Sequence, residues 1–316
     1  MARRRFALRS MGIACVLVAI AGSASASAAP RWTTPVKIDS VGIPSSVSCP
    51  TARFCMAVDS SGHALDFDGT EWSTPKSIDA SRSLSGVSCV SSKFCVAVDS
   101  TGNAVEYTSS GWTKPVALLP GNGFVGVDCQ SATFCVAVGF DTSTEAGYGV
   151  VYTGKWGAPQ AIPTGGGPAT SVSCPRVTYC PAVNDDAGVN VYNGSHWGGL
   201  KFIDLKGSTF LSSVSCPTTA FCVAVDTYGY AIERSGSGWK APKEIDPGNG
   251  GLTSVSCPTS TFCATVDSTG HALVFMGSAW TSPQTVDSTG VNAVSCPGST
   301  FCVAVDAKGR ALEYKT

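Results

Sequence analysis

The chain of 316 residues is 43% apolar, 14% charged and 9% aromatic, with 35 glycines and 15 cysteines, which excludes a disordered or collagen-like polypeptide. It carries 21 basic against 22 acidic residues, and once Arg3, Arg4, Arg5 and Arg9 of an N-terminal targeting segment are set aside, 17 basic residues remain against the same 22, a net charge of −5. Such a surface excludes nucleic acid and anionic membrane as main partners, because both need clustered positive charge.

Residues 1–28 have the three parts of a signal peptide: a basic stretch (Met1 to Ser10), an apolar run (Met11 to Gly22) and a small-residue tail ending in Ala28. Cleavage is expected after Ala28, leaving 29–316 as a single secreted domain. The apolar run falls short of the roughly 20 residues that span a bilayer, so no membrane insertion is expected.

From there to the end of the chain one string, V-S-C-P-x-x-x-F-C-x-A-V-D-x-x-G, recurs with small changes. Its first cysteine falls at Cys49, Cys89, Cys129, Cys174, Cys216, Cys257 and Cys296, and its second at Cys55, Cys95, Cys135, Cys180, Cys222, Cys263 and Cys302. A tryptophan keeps the same beat at Trp32, Trp72, Trp112, Trp156, Trp197, Trp239 and Trp280. Each unit predicts four short strands. In the second they are A (86–89), B (94–99), C (103–108) and D (112–118), where B alternates Phe94, Val96 and Val98 with Cys95, Ala97 and Asp99. Turn residues such as Asp99-Ser100-Thr101-Gly102 separate the strands, and no window carries helical periodicity with caps.

Seven such units resemble an all-β, seven-bladed β-propeller of four-stranded antiparallel blades. The units match WD-repeat blades in length but lack the W-D dipeptide, and Gly69-Thr70-Glu71-Trp72 is similar to an incomplete Asp-box. The S-V-S-C-P…F-C-V-A-V-D unit is similar to that of secreted actinobacterial repeat proteins. The resemblance implies the fold and leaves the activity open, since propellers host lectins, hydrolases, lyases and scaffolds. Residues 29–39 supply a lone D strand while 294–315 supply A, B and C, so the N-terminal strand is expected to complete the last blade and close the ring.

The fourteen repeat cysteines pair most simply within each C-x5-C, stapling A to B; zinc sites favour other spacings, so no metal is expected there. Val47, Val58 and their equivalents read as blade-to-blade core, the tryptophans as outer packing with a sugar platform as the alternative, and Ser48 with its equivalents (Asp128 in unit three) as small residues near the axis. Asp59, Asp99, Asp226, Asp267 and Asp306 read as turn-bonding aspartates, with a repeated calcium or sugar site as the alternative. His63 and His271 share a position that other copies fill with Asn103, Tyr230 or Arg310, which reads as a tolerant surface site.

No triad, P-loop or free thiol in the mature chain marks a catalytic centre, and no catalytic residue is assigned. Variation gathers instead in the B–C and D–A loops of units three and four, which carry Phe124, Phe140, Asp141, Glu145, Tyr148, Asp185 and Asp186. Carboxylates and aromatics beside glycines bind sugars or calcium. The expected function is a secreted, non-catalytic binding module for carbohydrate or another cell-surface ligand, with no required cofactor. A glycoside hydrolase or lyase drawing paired carboxylates from Asp141, Glu145, Asp185 and Asp186 is the enzymatic alternative, and an extracellular scaffold for protein partners the structural one.

Overall fold

The computed structural model describes residues 31–79, 82–119, 121–163, 165, 167–203, 210–248 and 250–316; the expected signal peptide lies outside them. Each repeat folds into one antiparallel sheet, and seven sheets form the ring. In blade II, strand A is Leu84–Ser91, B is Phe94–Asp99 and C is Asn103–Thr108, while D consists of two short pieces, Gly111–Trp112 and Val116–Ala117. Strands B and C coincide with the predicted ones. Strand A is longer at both ends, and D is broken at Pro115. Proline at this place (Pro35, Pro75, Pro115, Pro159, Pro242, Pro283) removes a ladder donor from the outermost strand, which blunts the one exposed edge each blade has.

The ring closes as expected. Arg31–Trp32 and Val36–Lys37 pair antiparallel with the last strand, Arg310–Lys315, with Trp32 opposite Tyr314 and Val36 opposite Ala311. Blade VII is therefore built from both ends of the described chain, which ties its termini into one sheet.

Among the described residues, seven apolar clusters form, one at each seam between neighbouring blades. The period of two in strand B is what allows this. Val96 and Val98 enter the II/III cluster, whereas Cys95 and Ala97 enter the I/II cluster, so one strand serves two seams with a large face and a small one. Burying each valine contributes about 1.5–3 kcal/mol, repeated at every seam. The disulfides sit in these clusters: all seven C-x5-C pairs are bridged within their own A–B hairpin, and the second cysteine of each is fully buried.

The inner strands are joined by hydroxyl groups that cross the seams. At seam I/II, Ser45 Oγ donates to Leu84 O (2.5 Å), while Ser46 Oγ and Ser48 Oγ accept from Val87 N (3.2 Å) and Cys89 N (2.9 Å). Seams IV/V, V/VI and VI/VII repeat all three bonds. The residues nearest the axis are thus the Ser45 and Ser46 series, which line a central cavity of about 180 Å³, and the Ser48 series lies one step outward as a seam bond. Seam III/IV departs most from this pattern. Val125 and Gly126 replace the first two hydroxyl positions, and the Asp128 carboxylate takes the third, accepting from Cys174 N at 2.5 Å. Burial at the seam raises the Asp128 carboxyl above the usual range, against the opposing donors Cys174 N and Ser88 Oγ.

Candidate functional site

The loops of blades III and IV, singled out by their variation, lie together on the face that carries the B–C and D–A connections. Phe124 is not part of that surface. It is 1% exposed, inside the II/III cluster, at the strand A position opposite Gly139, which corresponds to Leu84, Leu211 and Leu252 opposite Asp99, Asp226 and Asp267 in other blades. A ligand would meet it only if the blades separated. Tyr148 packs on the same cluster and is half-buried, as is Phe140.

Asp141 is occupied by its own turn: its Oδ1 accepts from Ser143 N (2.8 Å), Ser143 Oγ (2.5 Å) and Thr144 N (2.9 Å), and these donors, the Ser143 hydroxyl foremost, hold its carboxyl below the usual range. Glu145 stands at the exposed tip of the loop with φ at +61°. Asp185 is half-buried and Asp186 exposed. Burial, then the negative charges of Asp186 and Glu145, raises the Asp185 carboxyl, so the structure does gather these three groups. Among the described residues, however, no three His, Cys, Asp or Glu side chains converge as metal ligands would.

The turn aspartates behave as the structural reading expects. Asp59, Asp99, Asp226, Asp267 and Asp306 are fully buried, and in each Oδ1 accepts two backbone N–H groups of its own B–C turn. Gly102 closes one such turn at φ +86°, where a Cβ would lie 2.0 Å from Leu119 O. The shared position of His63 and His271 is not a surface site indifferent to its occupant. Their Nδ1 atoms lie 2.9 and 2.8 Å from the second oxygens of Asp59 and Asp267, Asn103 donates to Asp99 at 2.6 Å, and Arg310 donates to Asp306. That position supplies a polar partner for a buried carboxylate, which several side chains can do.

A second series of buried aspartates ends the D strands. The Asp79 carboxyl meets Asp99 across seam I/II, Asp39 meets Asp59 across VII/I, and Asp287 meets Asp306 across VI/VII, where Arg310 bonds both. Burial first, then Asp99, raises the Asp79 carboxyl to about 6.

The outer rim carries the most ligand-like geometry. Each tryptophan faces the preceding blade, and six of them pack on an aromatic ring at the end of their own C strand, as in Phe67–Trp72 (5.5 Å between centroids) and Tyr152–Trp156 (5.2 Å). This bears out their packing role. What lies opposite them differs between seams. At II/III, Glu106 of strand C accepts from Trp156 Nε1 (3.1 Å) and from the Tyr152 hydroxyl (3.2 Å), shutting the rim. At VII/I the equivalent glutamate is Glu313, but the next blade offers Phe67 where III has Tyr152. Glu313 pairs instead with Lys315 (2.6 Å), and a cleft of about 520 Å³ opens beside Trp72, bounded by Thr33, Lys37, Pro75 and Glu313. Seam V/VI repeats the open arrangement on a smaller scale, about 220 Å³, with Glu233, Phe275 and Trp280. The signal for this glutamate position in the sequence is the alignment of N-A-V-E-Y, Y-A-I-E-R and R-A-L-E-Y across repeats.

Fold and topology define the chain as a seven-bladed β-propeller with a disulfide in every blade. No family profile and no curated protein matches its sequence. Among solved structures it is similar to YCF48 bound to D1 peptide, with a TM-score of 0.69, 13% identity, and coverage of 90% of this chain and 97% of that one. It is also similar to the β-propeller domain of Cps50 (Swd1) from Myceliophteria thermophila, with a TM-score of 0.70, 8% identity, and coverage of 91% and 99%. At such identities the likeness establishes the fold, and the fold suits a binding or interaction module.

Proposed function

We propose that the protein is a secreted, non-catalytic binding module that recognises carbohydrate or another cell-surface ligand, in keeping with the actinobacterial repeat proteins its unit resembles. Seven disulfides point to an oxidising, extracellular-type environment. The observation that carries the reading is the rim of seam VII/I, where an indole ring and a carboxylate that are closed on each other at II/III face an open cleft. The loop face around Phe140, Asp141, Glu145, Tyr148, Asp185 and Asp186 is a second contact surface of suitable chemistry. A hydrolytic use of those carboxylates is disfavoured by Asp141, whose Oδ1 is already taken by three donors of its own turn.

A protein partner is the second reading. The exposed side chains of Val41, Ile43, Phe210 and Tyr228 at the D–A and B–C turns favour it, and YCF48, a propeller of the same fold, is seen with a peptide. A glycan array probed with the oxidised, signal-free protein, with calcium and again with chelator, separates the readings. Binding to a defined set of glycans in both conditions is the expected result. Loss of binding in chelator would shift the site to the acidic loops, release of reducing sugar would favour the hydrolase, and no binding in either condition would favour the protein partner.

A further inference from the structure

We infer that the rim cleft of seam VII/I is a subsite for an uncharged saccharide ring, stacked on Trp72 with a hydroxyl directed at the Glu313 carboxylate. The inference rests on the binding-module reading and names its site and ligand class.

It follows from comparing seams that share the same parts. Strand C carries glutamate at its fourth position in blades II, V and VII, as Glu106, Glu233 and Glu313. Each faces the tryptophan of the next blade. Where that blade also brings a tyrosine, the glutamate receives two neutral donors, the phenol and the indole N–H, and the rim is shut. Where it brings Phe67, the phenol is missing. Trp72 is half-buried, as Trp156 is, but no glutamate bond closes its rim, and the space beside it reaches about 520 Å³, within the usual range for small-ligand sites. Valine in place of the glutamate gives no single outcome: opposite Val151 and Val274, Trp197 and Trp32 are buried, whereas at seam IV/V, opposite Val191, Trp239 is half-buried.

The donors and acceptors left in the cleft select the ligand. An aromatic face favours a flat array of C–H groups, and a carboxylate beside it accepts from hydroxyls, a combination that a pyranose meets with its two faces and its edge. Charge does not select a strongly ionic ligand. Lys37 Nζ already donates to Lys308 O (2.6 Å), and Glu313 is balanced by Lys315. Thr33 holds the carboxylate's strand in place, its hydroxyl accepting from Glu313 N at 3.0 Å. Seam II/III shows what the ligand replaces, since there a phenolic O–H sits on the glutamate where a sugar hydroxyl would sit at VII/I.

The test uses the full oxidised chain titrated calorimetrically with chitotriose, cellotriose, mannotriose and a sialylated trisaccharide. Binding of at least one neutral trisaccharide is expected, ahead of the sialylated one. Phe67→Tyr, which gives Glu313 the missing phenol, should weaken it roughly tenfold by filling the cleft, and Trp72→Ala by at least as much, about the cost of losing one stacked ring. Glu313→Gln, at a partly exposed site that leaves the fold intact, should weaken binding several-fold, while Phe275→Tyr at seam V/VI should leave it unchanged. Trisaccharide binding that persists unaltered in Phe67→Tyr and Glu313→Gln would overturn the cleft as the site while leaving the binding-module reading in place. No binding of any trisaccharide would overturn the ligand class itself, and the glycan array and protein capture would then decide between the remaining readings.

Discussion

Complete reduction of the seven disulfides is expected to remove on the order of 10 kcal/mol of folding stability and to leave the chain unfolded at physiological temperature. Each bridge closes a short loop between residues six apart, and loop-closure entropy alone assigns such a bridge about 2 kcal/mol. Seven of them approach the whole net stability of an ordinary domain, about 5–15 kcal/mol. The bridges also fill space in the seam clusters, where Cys49, Cys129 and their equivalents touch residues of the neighbouring blade. Cutting them loosens hairpins and seams together. Thermal melts with and without excess reductant, with fourteen free thiols confirmed by mass in the reduced sample, measure the effect. Replacing one pair, Cys129→Ala with Cys135→Ala, should cost about 2 kcal/mol. Coincident melts for oxidised and reduced protein would show that the blades hold without their staples.

Asp79→Asn is expected to stabilise the protein at pH 7, by about 1–2 kcal/mol, and to leave it unchanged near pH 4. The side chain is buried, and of its two oxygens Oδ1 accepts from Arg82 at 3.1 Å. Among the described residues Oδ2 has no donor and turns toward Asp99. Asp99 accepts from Thr101 N and Asn103 N on one oxygen and from the Thr101 hydroxyl and Asn103 amide on the other. Burial works against ionisation of Asp99, but those donors outweigh it and hold its carboxyl below the usual range. The proton of the pair therefore belongs to Asp79, whose carboxyl stands raised to about 6 against 3.8 unperturbed.

A carboxyl raised in the folded state contributes stability that is complete below about pH 4 and is lost as the pH climbs through about 6, an effect of about 2–3 kcal/mol. An asparagine amide donates to Asp99 at every pH and removes the dependence. Urea unfolding at pH 4.5, 6 and 7.5 should show the wild type weakening across that window at seam I/II, and the variant flat. A less stable Asp79→Asn at pH 7 would mean that the carboxylate is held charged by Arg82. Seam VI/VII illustrates the other solution to the same problem, since Arg310 donates to both Asp287 and Asp306 where a proton would otherwise be shared.

The ring, its seven blades, its staples and its closure were legible in the repeat because every blade solves the same packing problem with the same residues. The alternation of Phe94, Val96 and Val98 with Cys95 and Ala97 carried the division of one strand between two seams. Two readings failed for a common reason. Phe124 reads as part of the loop leading into unit three, and His63 as occupying a tolerant surface position, as long as only their neighbours in sequence are considered. Strand A begins at Gly123, which places Phe124 in register with Gly139 and inside the seam, and His63 folds back over a turn onto Asp59. The rim site was hidden differently. Glu313 and Trp72 belong to opposite ends of the chain and meet only through ring closure, and whether the cleft is open depends on one hydroxyl, tyrosine or phenylalanine, in the following blade.

Seating of a ligand in that cleft is most directly tested by a crystal structure of the oxidised protein soaked with the tightest-binding neutral trisaccharide. A sugar ring lying flat on Trp72, with a hydroxyl within hydrogen-bonding distance of the Glu313 carboxylate, is the expected result. A ring bound at the loops around Asp141 and Asp185, with the cleft of seam VII/I empty, would contradict it.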